Sequence, residues 1–284
     1  MGYRFLRFPE GKGKAVTFSY DDGNKADIRL AETLTKYGMK GTFNINSAFI
    51  GINENKLTVD EIKEYIIEKG HEVALHGATH LAPGRATPLE GIKDTLNCRL
   101  GLEKAFGMII RGMAYPDSGI RVFENGSSLE TVKRYLSDLG VAYSRTLAGD
   151  NDLFRLPESW YEWMPTAHHD NPKILEWIDK FVAINTDEGY ITTRSARLFY
   201  IWGHAFEFEG KKNWEHLEEI CEKLSGKDDT WYATNIEIHD YVTAYNSLIW
   251  SADGLRVYNP TLITVWFVLN GRNYKIGSGE TLDL

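Results

Sequence analysis

Val16-Thr17-Phe18-Ser19-Tyr20-Asp21-Asp22-Gly23 is a run of β-branched and aromatic residues that stops abruptly on two acids and a glycine. Such side chains suit a pleated strand, and Asp-Asp-Gly marks a turn at its end. Behind the turn, residues 26–37 place Ile28, Leu30, Ala31 and Leu34 at helical spacing, and Gly38 stops the pattern. The unit is therefore strand, turn, helix.

The same unit recurs along the chain. Residues 42–46 read as a second strand, Thr58 and Glu61 form a capping box for a helix ending near Gly70, and residues 72–76 read as a third strand. Thr87-Pro88-Leu89-Glu90 opens another helix, with Leu89, Ile92, Leu96 and Phe106 expected on its apolar face and Gly107 at its end. A helix over 128–139 is followed by an extended segment at 141–144, and Asn171-Pro172 starts a helix whose apolar residues are Ile174, Ile178, Phe181 and Val182. Residues 197–202 read as a strand, 213–224 as a helix, and Thr234 and Glu237 as the capping box of a last helix. Repeated β-then-α units predict a parallel sheet with helices outside it, open or closed into a barrel. Functional residues in such folds stand at the C-terminal ends of strands.

After residue 254 the pattern changes. Residues 261–269 are β-rich, Asn270-Gly271 is a hairpin turn signal, and Tyr274-Lys275-Ile276 follows as the partner strand. The expected division is a catalytic domain over 1–253 with a small β-hairpin appendage, 254–284, packed on it.

Composition narrows the function. Of the 284 residues, 43% are hydrophobic and 25% charged, as in ordinary folded globular chains. A formal net charge of -8 opposes a surface built to follow nucleic-acid phosphates, so nucleic acid is set aside as a partner. No apolar run approaches the ~20 residues of a membrane span, and Met1-Gly2-Tyr3-Arg4-Phe5 lacks a secretory pattern. The expectation is a cytoplasmic protein with no membrane partner. Cys98 and Cys221, the two cysteines, imply neither a disulfide framework nor a cysteine-based zinc site.

Three features carry chemistry. Asp21-Asp22 is either a simple turn or a pair in which one carboxylate ligates a metal while the other serves as a base. His76-Gly77-Ala78-Thr79-His80 follows a strand and offers two imidazoles four residues apart. With one carboxylate they make three protein ligands and leave positions for water and substrate. His204 ends the strand-like run before it and is suited to protonate a departing amine.

These segments resemble the polysaccharide deacetylases of carbohydrate esterase family four. The family's strand ending in Thr-Phe-Asp-Asp-Gly is matched by Thr17, Phe18, Asp21, Asp22 and Gly23, with Ser19 and Tyr20 inserted; its His-Ser/Thr-x-x-His is matched by His76 and His80, with Gly77 at the hydroxyl position; its late histidine motif is similar to Trp202-Gly203-His204. The resemblance runs over about residues 15–205. It implies a distorted (β/α) barrel of the polysaccharide deacetylase type, Asp21 as general base, Asp22, His76 and His80 as metal ligands, and His204 as general acid. The implied cofactor is a divalent metal, zinc by default, with cobalt, nickel or manganese also suited to the ligand set.

Departures from the pattern lie between the motifs. The family's Arg-x-Pro is expected near residues 111–119, where Pro116 fits but Met113 or Ala114 stands at the arginine position, leaving Arg111 as the substitute. An Asp-Trp motif is represented only by Asp150, Asp152, Trp160 and Trp163, or in part by His168-His169. Arg111, Tyr115, Pro116, Trp160, Trp163, His169 and Trp202 are the candidate substrate contacts, and residues 115–117 the candidate source of a backbone oxyanion donor. The implied substrate is an N- or O-acetylated sugar or oligosaccharide. Two rival readings are hydrolysis of a non-sugar amide or cyclic ureide on the same metal, and a carbohydrate-binding relative that has lost turnover.

Overall fold

All eight residues of the first long strand are buried, so both of its faces are covered, as in a parallel sheet enclosed by helices. The structure, a computed structural model, describes residues 2–147, 150–188 and 194–284. Its elements run β1 (Arg4–Arg7), β2 (Lys14–Asp21), α1 (Ala26–Lys36), β3 (Gly41–Ile45), then α2 (Val59–Glu61), which continues into a wider turn (Ile62–Ile67), and β4 (Glu72–Leu75). Next come α3 (Pro88–Phe106), β5 (Gly112–Ala114), α4 (Leu129–Asp138), β6 (Tyr143–Arg145), β7 (Ala167–His168), α5 (Ile174–Val182) and β8 (Arg197–Gly203). The chain finishes with α6 (Phe206–Lys211), α7 (Trp214–Leu224), β9 (Thr230–Tyr232), α8 (Asn235–Asn246), β10 (Ile249–Trp250), β11 (Arg256–Tyr258), β12 (Val265–Leu269), β13 (Arg272–Ile276) and β14 (Thr281–Asp283).

The main sheet has the order β6-β5-β4-β3-β2-β8-β7, with β9 beside the first half of β2, and its pairings are parallel. Its two edges are drawn together by one segment. Trp163 bridges Arg145 in parallel, and a few residues on Ala167 and His168 pair with Ile201 and Trp202 of β8. The result is the distorted (β/α) barrel expected. The three capping boxes, at Thr58, Thr87 and Thr234, form as read.

Along β2 the side chains divide by the period of two. Val16, Phe18 and Tyr20 enter the large apolar core with α1, α5 and α7, whereas Thr17, Ser19 and Asp21 belong to a chain of buried polar contacts: Thr17 donates to Asn235 Oδ1 at 2.8 Å, and Asn44 Nδ2 donates to Ser19 Oγ at 2.8 Å and to Asp21 Oδ1 at 2.8 Å. Because the strands are parallel, Asp21, Leu75, Ala114, Arg145 and Gly203 all end on one rim.

Two expectations change. Leu89 and Leu96 are 60% and 38% exposed, and α3 buries Gly91, Asp94, Thr95, Cys98 and Leu102 instead. Small residues on that face let α4 come close: a Cβ on Gly91 would stand 2.6 Å from Tyr135 Oη. The short strands β5, β7 and β9 and the helix α6 also escaped the periodicity, being too brief to show one. The hairpin forms as β12 and β13, with Asn270 and Gly271 at positive φ. β1 pairs antiparallel with β12, and β10 and β14 flank β11, so the C-terminal sheets draw on residues from both sides of position 253. Among the described residues no helix is long and apolar enough to cross a membrane.

Candidate metal centre and active site

Asp22 leaves β2 at φ 83, and His80 has φ 61. A left-handed backbone at a non-glycine residue is uncommon and gathers at functional sites. The Asp22 conformation is held from outside: Asp22 N–H donates to Asn44 O at 3.0 Å, and Lys56 Nζ donates to Asp22 O at 2.7 Å. His76 follows β4, and His80 returns toward it after a tight loop. That loop needs glycine at 77, where φ is +68 and a Cβ would collide with Asp94 Oδ2. The serine or threonine of the related motif has no room here.

The three side chains converge. Asp22 Oδ1 lies 3.6 Å from His76 Nε2 and 3.5 Å from His80 Nε2, and together they form a set able to hold a metal ion. Donor atoms ~2.0–2.1 Å from a tetrahedral ion stand ~3.3 Å apart, so the separations suit one ion. His76 is buried and its Nδ1–H donates to Ala114 O at 2.9 Å, which fixes the tautomer and leaves the Nε2 lone pair for a ligand. Burial also pushes the His76 imidazole down from its ordinary pKa, favouring the neutral, ligating form. The donor set fits a divalent cation.

Asp21, 2% exposed, is the second carboxylate. Its Oδ2 accepts from Arg145 Nη2, and Oδ1 accepts from Asn44. Burial raises the Asp21 carboxyl, but the Arg145 guanidinium outweighs it, so the group sits below its ordinary pKa and is ionised. Arg145 is itself fully buried, with its guanidinium 4.7 Å from the Trp202 ring centroid. The arginine that meets Asp21 is thus Arg145 and not Arg111. Arg111 precedes β5, at the end away from the rim, and pairs with Asp240 of α8 at 2.5 Å. Arg145 directly follows the extended segment read at 141–144; applying the strand-end rule to that segment would have found it.

His204 follows β8. Its Nδ1 is 3.3 Å from Glu207 Oε1. Burial lowers the His204 imidazole, but the Glu207 hydrogen bond and the two nearby aspartates outweigh it, so its pKa is raised. Glu207 in turn falls well below the carboxylate range: burial opposes this, and His168 and His204 prevail. No spacing in the sequence signals this pairing, because α6 is what turns Glu207 back toward His204.

The remaining candidates scatter. Tyr115 is buried, its hydroxyl donates to Tyr161 O at 2.9 Å, and its backbone N–H donates to Arg145 O at 3.0 Å. Pro116 is buried beside Gly77. Trp163 is fully buried between Tyr143 and Tyr200, at 5.1 and 5.0 Å between centroids; no face is left for a sugar. Trp160, partly buried, packs edge-on to Trp163 and His239, at 4.9 and 4.8 Å, against that core. An aromatic-rich stretch read as a loop is here the strap that closes the barrel. Trp202 is half-buried beside Arg145 and His168. His169 is fully buried, and burial pushes its imidazole down to about 3.

The chain is thus a (β/α) barrel that carries on its C-terminal rim an Asp-His-His set able to hold a metal ion, beside a buried aspartate and a histidine paired with a glutamate. Residues 9–144 match the family profile of the polysaccharide deacetylases. In structure the chain is similar to a Mycobacterium smegmatis protein assigned as a polysaccharide deacetylase, with a TM-score of 0.58 and 16% identity over 87% of this chain and 96% of that one. It is also similar to the Xyl-CE4 domain of a multidomain xylanase from the hindgut metagenome of Trinervitermes trinervoides, with a TM-score of 0.51 and 15% identity over 82% of this chain and 92% of that one. No curated protein matches the sequence.

Proposed function

We propose that the protein is a divalent-metal-dependent deacetylase that hydrolyses the acetyl group of an N- or O-acetylated sugar or short oligosaccharide. The observation that carries the reading is the convergence of His76 Nε2 and His80 Nε2 on Asp22 Oδ1, at 3.6 and 3.5 Å, beside Asp21 held by Arg145 and Asn44. A divalent cation held there, zinc by first choice, supplies Lewis-acid polarisation of an acyl oxygen and acidifies water.

The chain's own residues do the rest. Asp21, kept charged by Arg145 and oriented by Asn44, accepts a proton from the attacking water. Its two anchors hold the carboxylate in place, so little reorganisation is needed. His204, whose protonated form Glu207 favours, gives a proton to the departing nitrogen or oxygen. Within residues 115–117 the Tyr115 amide is committed to Arg145 O and Pro116 has no N–H; the Asp117 amide is the donor assigned to the developing oxyanion. The acetylated-sugar class is supported by the match of residues 9–144 to the polysaccharide deacetylase profile.

The test is acetate release from a panel of N- and O-acetylated sugars by zinc- or cobalt-loaded protein, chelated protein and Asp21→Asn. Release is expected only with metal, and Asp21→Asn is expected to lower kcat by about 10²–10⁴-fold. Release that survives chelation sinks the metal reading. No release from metal-loaded protein, with turnover of a cyclic ureide instead, moves the substrate to the non-sugar class on the same centre.

A further inference from the structure

A second group of ligand-type side chains lies off the end of β7. His168, His169 and Asp170 are consecutive there, and Glu207 joins them from α6; their donor atoms lie within 4.8 Å of one another. None of them belongs to the Asp22, His76, His80 set.

His169 is the informative member. Its ring is fully buried, stacked between Tyr20 and Phe208 with centroids at 5.7 and 4.1 Å, and it lies so close to the backbone at Gly203 that a Cβ there would collide with it. Among the described residues neither ring nitrogen has a hydrogen-bond partner. A buried polar group left so is costly and calls for an explanation. Yet Nε2 stands 3.3 Å from Asp170 Oδ2 and 3.2 Å from Glu207 Oε2. Both separations match the ~3.3 Å edge expected between donors ~2.0–2.1 Å from a tetrahedral ion. Packing has fixed an unpartnered imidazole nitrogen against two carboxylate oxygens.

The neighbours complete the picture. His168 Nδ1 accepts the Asp170 N–H at 3.1 Å, and its Nε2 faces Glu207 Oε2 at 3.0 Å, so His168 anchors the carboxylate. Lys211 pairs with Asp170 Oδ2 while its side chain is 54% exposed; its ammonium neutralises the site and is free to swing into solvent. We propose that His169 Nε2, Asp170 Oδ2 and Glu207 Oε2 form a second divalent-cation site, of mixed nitrogen and oxygen donors suited to zinc, with Lys211 as the displaceable cation. Glu207 also lies 3.3 Å from His204 through its other oxygen. The second ion therefore sits one carboxylate away from the proposed acid.

The test is zinc stoichiometry on the full chain, by calorimetric titration and by metal analysis after desalting. Wild type is expected to take two ions. His76→Asn/His80→Asn is expected to keep the His169 ion alone, and Asp170→Asn the Asp22 ion alone. His169→Asn repeats the second arm, and circular dichroism verifies that each variant is folded; Asp170, at the partly exposed edge, is the safer substitution. Lys211→Met is expected to tighten the weaker of the two binding events. A single ion in wild type that vanishes in His76→Asn/His80→Asn overturns the second site and leaves the deacetylase reading intact. Two ions that persist in both Asp170→Asn and His169→Asn overturn it as well. A single ion lost in Asp170→Asn but kept in His76→Asn/His80→Asn instead refutes the Asp22 centre.

Discussion

Asp21 and Arg145 form the contact on which the chemistry of the rim turns. Both side chains are buried, at 3% and 0% exposed. Removing one partner of such a pair leaves an uncompensated charge in the interior, which costs about 3–5 kcal/mol. Arg145→Met is therefore expected to lower unfolding stability by that amount in denaturant titrations and to depress acetate release at neutral pH, since a carboxylate that resists ionisation is a poor base. Arg145→Lys is expected to recover part of the stability but less of the rate, because an ammonium lacks the planar fork that reaches Asp21 over the Trp202 ring. Unchanged stability in Arg145→Met would show that the pair contributes nothing net.

At the scale of elements, α3 supports the loop from His76 to His80. Its Asp94 accepts the Thr79 N–H at 2.9 Å and the Thr79 hydroxyl at 2.8 Å, and Ala78 N–H reaches the Asp94 carbonyl at 3.3 Å. Thr79 lies directly before His80, so the helix sets the return of the loop. Asp94→Ala removes the charged acceptor of two Thr79 donors without touching a ligand. Zinc affinity of the Asp22 centre is expected to fall about 10–100-fold, as for other supporting residues of metal ligands, with a stability loss of about 1–3 kcal/mol. An unchanged zinc affinity would mean that the loop holds itself. The same helix shows why an apolar pattern misleads: Leu89 and Leu96 suggested its buried face, but close packing of helices favours the small residues Gly91, Thr95 and Cys98.

At the scale of the whole molecule, Glu72 ties the lower end of the barrel together. It accepts from Thr42 Oγ1 on β3 at 2.8 Å, from Tyr143 Oη on β6 at 2.7 Å and from Ile236 N–H on α8 at 2.9 Å. Burial nonetheless pushes its carboxyl up from 4.5 to about 7. A pKa raised on folding means that the folded state holds the proton more tightly, so this contribution is complete below pH 4.5 and is lost as pH rises through about 7. The shift corresponds to about 3 kcal/mol. Glu72→Gln is expected to flatten that part of the stability-versus-pH curve, measured by denaturant unfolding between pH 4 and 8; an unaltered slope would place the titration elsewhere.

The alternation of strand and helix, the three capping boxes, the hairpin at Asn270-Gly271 and the motif residues Asp21, Asp22, His76, His80 and His204 were all legible in the chain, because each depends on local spacing or on a strand end. Those five residues come from three separate strands, and parallel pairing alone brings them to one rim. The partners that tune them were not legible. Arg145 meets Asp21 across 124 residues of chain, Glu207 depends on the turn of α6, and the strap that closes the barrel buries Trp163 in the core and packs Trp160 against it. Local sequence carries propensity and order; which side chains share a buried space is decided only when the sheet curls, since long-range packing and the need to satisfy buried charge choose among partners that no spacing rule connects.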